Sequence, residues 1–239
     1  MGQKNKNILC TICARGGSKG VLNKNIKKIL EKPLISYTIN QANESGIFNH
    51  IVVSTDSDEI ASISKDYGAE IIFKRPSYLA TDDSGKLDVI KHALIKSEEY
   101  YKKEFDYIID LDATSPLRLV SDIKNAYSIF LENNYDNLFS VMKARRSPYF
   151  NLVELDENNH VFLSKKLEKP IVRRQDSPKC FDMNASIYIW KREVLLTNST
   201  LFLEKTGIYI MPEDRSLDID SETDFEIVEY LLKKNELKK

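Results

Sequence analysis

Short apolar runs alternate along the chain with longer segments in which apolar residues recur every three to four positions. Five runs have the length of buried strands and end in polar or glycine-containing turns, at 8–13, 50–54, 70–73, 107–112 and 137–141. A helix is predicted to begin with Pro33 as its first residue and to end at Gly46. Further helices are predicted at 59–67, at 84–100, up to 134 after a cap at Ser121 or Asp122, and at 221–234. Strands that alternate with helices in this way indicate a mostly parallel sheet covered by helices, an α/β fold.

The pattern changes between residues 143 and 181, where prolines and arginines interrupt short apolar pieces. The turn residues Glu157-Asn158-Asn159 predict a hairpin there. Strand-like runs then return at 185–190 and 207–211, before the closing helix. We therefore expect a main domain made of 1–142 and 182–239, with 143–181 as an excursion that covers a site or meets a second subunit.

The first apolar run stops at a basic, glycine-rich turn, Ala14-Arg15-Gly16-Gly17-Ser18-Lys19-Gly20, followed by Lys24-Asn25. Backbone N–H groups in such turns form a nest for anions, and the glycines permit conformations closed to other residues. The order of residues fits neither the Walker pattern nor the dinucleotide pattern. A tight turn with surface lysines is the alternative, but the concentration of cations favours a phosphate-binding loop at the sheet edge.

Near the carboxyl end, Asp218 and Asp220 alternate with apolar neighbours, so both carboxylates should project from one face of an extended segment. Mg²⁺ prefers such hard oxygen ligands, often one or two carboxylates together with substrate phosphates. Alternatively, Asp220 or Ser221 merely caps the last helix. The presence of a cationic loop in the same chain favours the metal pair.

Other candidates carry weaker signals. Arg75 follows the predicted strand 70–73, so it could contact a phosphate or a base, or be a solvated loop residue. His92 lies on a helix among apolar residues, where a packed or surface role is more common than catalysis. Cys10 and Cys13 should face opposite sides of one strand, which disfavours a disulfide or a chelate.

Composition narrows the class of protein. The 239 residues carry a formal net charge of -1, which argues against an electrostatic nucleic-acid footprint. Three cysteines indicate a reducing compartment without a disulfide framework. No apolar run has the ~20 residues of a membrane span, and the polar first residues resemble no signal peptide, so we expect a cytoplasmic protein without membrane partners.

Taken together, these motifs resemble the CMP-sialic acid synthetases, or acylneuraminate cytidylyltransferases, nearly from end to end. The motifs that match in order are the loop 14–20 with Lys24-Asn25, Val53-Ser54-Thr55-Asp56, Arg75-Pro76 with Leu79-Ala80, Thr114-Ser115-Pro116-Leu117-Arg118, Asn184-Ala185-Ser186-Ile187-Tyr188 and Asp218-Ile219-Asp220. One such motif alone would be weak evidence of a resemblance, but the ordered set is specific to the family.

The resemblance implies a three-layer α/β/α nucleotidyltransferase fold. It also implies condensation of CTP with a nine-carbon α-keto acid sugar, giving the CMP-sugar and pyrophosphate for bacterial surface glycans. The nucleotide would be held by Arg15, Gly16, Gly17, Ser18, Lys19, Lys24, Asn25 and Arg75. Asp218 and Asp220 would bind Mg²⁺, and Arg15, Lys19, Lys24 and Asp218 would be catalytic. The general base is open between a metal-bound arrangement and a carboxylate such as Asp218.

The acceptor sugar would lie near Asp112, Arg174, Asp182 and Asn184, and 143–181 would form a homodimer contact. Three departures fall in this pocket: Asp112 replaces a glutamine, Asp182 an arginine and Phe150 a lysine that are common among sialate enzymes. More acidic and fewer basic side chains in this pocket should change which acceptor sugar fits. The form Asp110-Leu111-Asp112-Ala113-Thr114-Ser115-Pro116-Leu117-Arg118 is similar to the bacterial branch that activates legionaminic acid. Rival interpretations are a CMP-Kdo synthetase and a nucleotide-binding regulator without catalysis.

Overall fold

The computed structural model describes residues 6–169 and 173–236, and its centre is a six-stranded sheet. The strands are β1 (Ile8–Cys13), β2 (Lys28–Ile29), β3 (Lys32–Pro33), β4 (His50–Ser54), β5 (Tyr107–Leu111), β6 (Asn137–Lys143), β7 (Val153–Leu155), β8 (Val161–Leu163), β9 (Phe181–Lys191) and β10 (Thr206–Ile210). The α-helices are α1 (Leu34–Ser45), α2 (Asp58–Asp66), α3 (Lys86–Tyr101), α4 (Val120–Glu132), α5 (Arg192–Thr197) and α6 (Glu222–Glu236).

The order of strands in the sheet is β10-β6-β9-β5-β1-β4, and only β9 runs antiparallel to its neighbours. The predicted mostly parallel sheet is therefore confirmed. Because β9 is reversed, its first residues lie at the edge where β5 and β6 end. Leu111 pairs with Ile187 and Met142 pairs with Asp182 at this edge.

Alternation along the strands divides the apolar side chains between two faces. Cys10 and Ile12 of β1 pack with residues of α1, α2 and α4, whereas Leu9 packs with residues of α3 and α5 on the opposite face. Cys13 packs on the same face as Leu9. The predicted separation of Cys10 from Cys13 is thus confirmed, and both are free thiols.

A third apolar cluster joins the two ends of the chain. Val21 and Ile29 follow the glycine-rich turn, and they pack with Ile219 from the segment before α6 and with Phe225 and Val228 of α6 itself. Val21 is 1% exposed and Ile219 is fully buried. Each such side chain contributes roughly 1.5–3 kcal/mol when it leaves water. This cluster therefore holds the turn after β1 against the segment before α6.

Three local expectations were wrong. The predicted strand 70–73 makes only one bridge, between Glu70 and Val52, before the chain turns so that the Arg75 N–H donates to Thr55 O. Helix α4 begins after Leu119, and buried Asp122 accepts from the Leu119 N–H instead of standing at the cap itself. Pro33 is the residue before α1, not its first residue.

The excursion contains the hairpin predicted at Glu157-Asn158-Asn159, since β7 and β8 pair antiparallel in a separate two-stranded sheet. Its apolar side chains are exposed: 55% for Val153, 62% for Leu155 and 66% for Val161. Within residues 6–169 and 173–236, every helix is too short or too polar to traverse a bilayer.

Candidate active site

A pocket of about 270 Å³ opens where β1 ends. Its lining combines the glycine-rich turn with residues from two distant parts of the chain: Cys13, Arg15, Ser18, Lys19, Gly20, Lys24, Asn25, Thr114 and Asp220. Of the residues predicted to hold a nucleotide, the lining contains Arg15, Ser18, Lys19, Lys24 and Asn25. A larger hollow of about 650 Å³ lies beside α3 and includes His92, but it lacks the cations of the turn.

Lys24 connects the turn with the carboxyl-terminal acids. Its Nζ donates to the carbonyl oxygen of Ile219 and lies 3.2 Å from Oδ1 of Asp220. The Lys24 side chain is only 14% exposed, whereas that of Asp220 is 78% exposed. The cation is therefore held in place, and the carboxylate remains open to a ligand.

Glycine is required at position 20 because the two segments touch there. A Cβ added to Gly20 would lie 2.0 Å from the carbonyl oxygen of Asp220, a distance that no real contact allows. None of Gly16, Gly17 and Gly20 adopts a left-handed φ, so the expectation of special conformations was wrong. The close approach of the turn to the Asp220 carbonyl is the reason why residue 20 is glycine.

Two interactions fix the shape of the turn. Asn25 is 6% exposed and its Nδ2 donates to Arg15 O at 3.0 Å. The Gly16 N–H donates to Oδ1 of Asp56 at 2.9 Å, so this amide already has a carboxylate acceptor. A Cβ on Gly17 would meet no atom within 4 Å, and this position faces open space.

Asp82 is paired with two cations of the turn. Arg15 Nη2 lies 2.5 Å from Oδ1 of Asp82, and Lys19 Nζ contacts its Oδ2. Hydrogen bonds from Lys19 and then Arg15 lower the pKa of the Asp82 carboxyl. In the sequence, Asp82 is marked only by its place in a polar loop.

Arg75 has its donors turned inward. It is 5% exposed, its Nε donates to Ser54 Oγ at 3.1 Å, and its Nη2 donates to Ser54 O at 2.5 Å. It thus ties the loop after residue 73 to the end of β4. Any role in contacting a nucleotide stays a prediction.

The acids near the carboxyl end have different surroundings. Asp218 is half-buried and Asp220 is exposed, with fully buried Ile219 between them. Burial and then the charge of Asp220 raise the pKa of Asp218, as expected for two acids without a cation between them. The alternative cap Ser221 is confirmed: its Oγ accepts from the Asp224 N–H, and Oδ2 of Asp224 accepts in turn from the Ser221 N–H, so the carboxylates of Asp218 and Asp220 take no part in capping α6.

Asp112 is fixed at the end of β5. Its Oδ2 lies 2.7 Å from Lys86 Nζ, and its Oδ1 accepts from the N–H and Oγ1 of Thr114 at 3.0 and 2.8 Å. Burial alone would raise its pKa, but the charge of Lys86 and these hydrogen bonds outweigh burial and lower the pKa to about 2. Lys86 was missed in the sequence because it belongs to no motif.

The remaining predicted acceptor residues lie on or before β9. Asn184 is 4% exposed, and it bonds to Ser140 Oγ and Ser216 Oγ at 2.6 and 3.1 Å. Asp182 is exposed, and its Oδ2 accepts from the Arg145 N–H at 3.4 Å. The side chain of Arg174 lies outside the described part of the chain.

This edge of the sheet can therefore hold a polyanion. Arg15, Lys19 and Lys24 supply charge and Ser18 supplies a hydroxyl, while Asp220 provides an acid on the opposite wall. Such a combination of cations and carboxylates suits a nucleoside triphosphate that carries a divalent metal.

Comparisons with known proteins show the family to which the chain belongs. The chain is 56% identical over 225 residues to a CMP-N,N'-diacetyllegionaminic acid synthase of Campylobacter jejuni subsp. jejuni serotype O:2, with 94% of each chain covered. It is 53% identical over 230 residues to post-translational flagellin modification protein B of Campylobacter coli, covering 96% of this chain and 97% of that protein.

The fold matches a solved CMP:2-keto-3-deoxy-manno-octonic acid synthetase in complex with CTP. The TM-score is 0.68 at 17% identity, with 96% of this chain and 99% of that chain covered. The family model described as cytidylyltransferase matches residues 9–239. The chain belongs to the cytidylyltransferase family.

Proposed function

We propose that the protein condenses CTP with a nine-carbon α-keto acid sugar of the legionaminic acid type, giving the CMP-sugar and pyrophosphate. The observation that carries this proposal is the pocket in which Lys24 of the glycine-rich turn meets Asp220. The 56% identity to a CMP-N,N'-diacetyllegionaminic acid synthase favours this sugar over N-acetylneuraminic acid.

The triphosphate would lie along the turn. Arg15, Lys19 and Lys24 neutralise its charge, and the Ser18 hydroxyl and the Gly17 N–H give further donors, whereas the Gly16 N–H would have to leave Asp56 to join them. Asn25 keeps the turn in shape through its bond to Arg15 O. Arg75 supports the same edge from Ser54 and would reach the nucleotide only if its guanidinium rearranged.

Asp218 and Asp220 would hold Mg²⁺. The residues fit this ion: both offer hard oxygen ligands, Asp220 is exposed, and the pKa of Asp218 is raised by burial and by the charge of Asp220. Among the described residues no cluster of three or more His, Cys, Asp or Glu side chains is arranged to hold a metal. Two carboxylates completed by substrate phosphates would be a sufficient ligand set for Mg²⁺. When bound, the ion would supply charge stabilisation for the phosphoryl and pyrophosphate oxygens.

In the reaction, the anomeric hydroxyl of the sugar attacks the α-phosphorus in line and pyrophosphate leaves. Arg15, Lys19 and Lys24 stabilise the negative charge that develops on the phosphate oxygens. Asp218 is half-buried and close enough to Asp112 for their charges to interact. It is therefore the carboxylate best placed to orient the acceptor hydroxyl or to receive its proton.

The acceptor would occupy the sheet edge beside Asp112, with Asp182 and Asn184 on β9 and Arg174 before it. The guanidinium of an arginine can bind the sugar carboxylate through two oxygens, which is the role proposed for Arg174. Asn184 would act by shaping the wall, since its amide already bonds to Ser140 and Ser216.

We also propose that the protein is a cytoplasmic homodimer in which 143–181 contacts the partner. The exposed apolar side chains of β7 and β8 would leave water in such a contact. Light scattering of the purified protein tests this, and a strictly monomeric species at micromolar concentration would contradict it.

The function is tested by pyrophosphate release from CTP with a panel of acceptors. We expect release with N,N'-diacetyllegionaminic acid, less with N-acetylneuraminic acid and little with the eight-carbon sugar Kdo. Release with Kdo alone would identify a different acceptor class. CTP binding without pyrophosphate release from any acceptor would point to a regulator.

A further inference from the structure

Lys86 is the first residue of α3, and its ammonium group lies between two acids at the end of β5. Its Nζ is 2.7 Å from Oδ2 of Asp112 and 3.2 Å from Oδ2 of Asp110. It also lies 4.4 Å from the ring centroid of Tyr188 on β9, within range of a cation–π contact. Lys86 is therefore a cation held in a fixed position where β5, β9 and α3 meet.

Lys86 lies near residues of both the nucleotide part and the acceptor part of the proposed site. Asp112 is bonded to Thr114, which lines the nucleotide pocket. The charge of Asp112 contributes to the raised pKa of Asp218, and the charge of Asp218 contributes to the raised pKa of Tyr188, so these side chains share one region. The side chains of Lys86 and Asp112 are 33% and 21% exposed, whereas that of Asp110 is fully buried, so the ion pair with Asp112 is the part that solvent reaches.

Without Lys86, Asp112 would stand beside Asp110 with no cation paired to its Oδ2, because Arg118 reaches only the backbone carbonyl of Asp112. The two acids would repel each other, and the Asp112 side chain could then turn away from Asp110. With Lys86 on Oδ2 and Thr114 on Oδ1, the carboxylate is held from both sides. A carboxylate that is fixed in this way accepts hydrogen bonds only from donors in one place.

We propose that Lys86 is a positioning residue that sets the choice of acceptor sugar by holding the carboxylate of Asp112. This inference rests on the proposed function and deepens it. The sequence suggested that Asp112 adds an unpaired carboxylate to the acceptor pocket, but in the structure this carboxylate forms an ion pair with Lys86. The fixed carboxylate thus discriminates by where the sugar places its donor: the hydrogens of an acylamino N–H and of a hydroxyl differ in position and direction, and a carboxylate at the same place has no hydrogen to donate.

The first test uses the variant Lys86→Met, which removes the positive charge and keeps a side chain of similar length. We measure kcat/KM with N,N'-diacetyllegionaminic acid and with N-acetylneuraminic acid, together with the Kd for CTP. The ratio of the two kcat/KM values should fall at least about tenfold, because the acceptor atom is no longer fixed. The Kd for CTP should change less than about twofold, because Lys86 is not part of the pocket lining.

Lys96→Met is the matched control. Lys96 lies on the same helix and pairs with Glu99 at 2.6 Å, but its side chain is 42% exposed on the outer surface. The same chemical change there should leave the ratio unaltered. If Lys86→Met does not fold, Lys86→Gln replaces it, with the same expected fall in the ratio.

The second test repeats Lys86→Met in an Asp112→Asn background. If Lys86 acts through Asp112, the added substitution should leave the ratio of the Asp112→Asn protein unchanged. An equal loss with both acceptors, or the same tenfold fall in both backgrounds, would overturn the proposal, because Lys86 would then act on the fold or on the nucleotide. If the unaltered protein uses neither sugar, the proposed function fails. If it uses them and the ratio does not move, only the role of Lys86 fails.

Discussion

Lys24 and Asp220 are separated by 196 positions in the chain, yet Nζ of one lies 3.2 Å from Oδ1 of the other. The Lys24 ammonium also bonds to the carbonyl of Ile219, and the apolar cluster beneath it buries Ile219 with Val21. A cationic turn and a pair of acids are thereby combined at one sheet edge, which is what a metal-bound triphosphate needs.

Asp220→Ala should lower the kcat of metal-dependent pyrophosphate release at least about a hundredfold, because a hard ligand for Mg²⁺ is lost. The fold should survive, since Asp220 is exposed and α6 is capped by Ser221 and Asp224. Steady-state kinetics and thermal unfolding are the measurements. Glu226→Gln on the exposed surface of α6 is the control, and turnover in Asp220→Ala equal to that control would refute the metal assignment.

Gly20→Ala should destabilise the protein by about 1–3 kcal/mol, because the added Cβ would overlap the Asp220 carbonyl and push the two segments apart. Gly17→Ala is the matched control, since its Cβ would meet open space. Urea unfolding of both variants gives the comparison. Equal free energies of unfolding for the two would mean that the close approach at Gly20 does not exist in solution.

Asp82→Asn should tighten CTP binding, because in the ligand-free protein this carboxylate occupies Arg15 and Lys19, which the phosphates must recruit. Since these groups are exposed to solvent, the Kd for CTP should fall only about two- to fivefold, and the difference should shrink in high salt. Calorimetry with CTP measures it. Asp83→Asn removes the same charge one residue away and should have a smaller effect. Weaker binding in Asp82→Asn would instead show that Asp82 orients the cations for the nucleotide.

The ion pair between Asp112 and Lys86 predicts a pH dependence of stability. The folded pKa of Asp112, about 2, is below its unfolded value, so its contribution is present above about pH 4 and is lost as the pH falls towards 2. The difference in unfolding free energy between the unaltered protein and Asp112→Asn should therefore shrink by about 2 kcal/mol between pH 5 and pH 2. A constant difference over that range would contradict the pairing.

Much of this arrangement could be predicted from local sequence. Periodicity predicted α1 and its end at Gly46, which has a φ of +65° in the structure, and it placed Cys10 and Cys13 on opposite faces. The ordered motifs indicate the family from the sequence alone. These features depend on neighbouring residues, which is why the sequence alone reveals them.

What the sequence could not supply depends on contacts between distant residues. Lys86 resembles any surface lysine at the start of a helix until β5 and β9 bring Asp110, Asp112 and Tyr188 around it. The strand predicted at 70–73 had the right composition, but only Glu70 pairs with β4 before the chain leaves the edge. Gly20 was recognised as a glycine of the turn, but its reason, the carbonyl of Asp220, lies 200 positions further along the chain.

The central claim is that the glycine-rich turn and the acids before α6 act on the same nucleotide. A crystal structure with CTP and Mg²⁺ tests it most directly. The account predicts phosphate oxygens within hydrogen-bond distance of Arg15, Lys19 and Lys24, and Mg²⁺ bound to Asp218 or Asp220 and to the same triphosphate. A triphosphate seated elsewhere, for example in the hollow beside α3, or a metal that is remote from both acids, would contradict it.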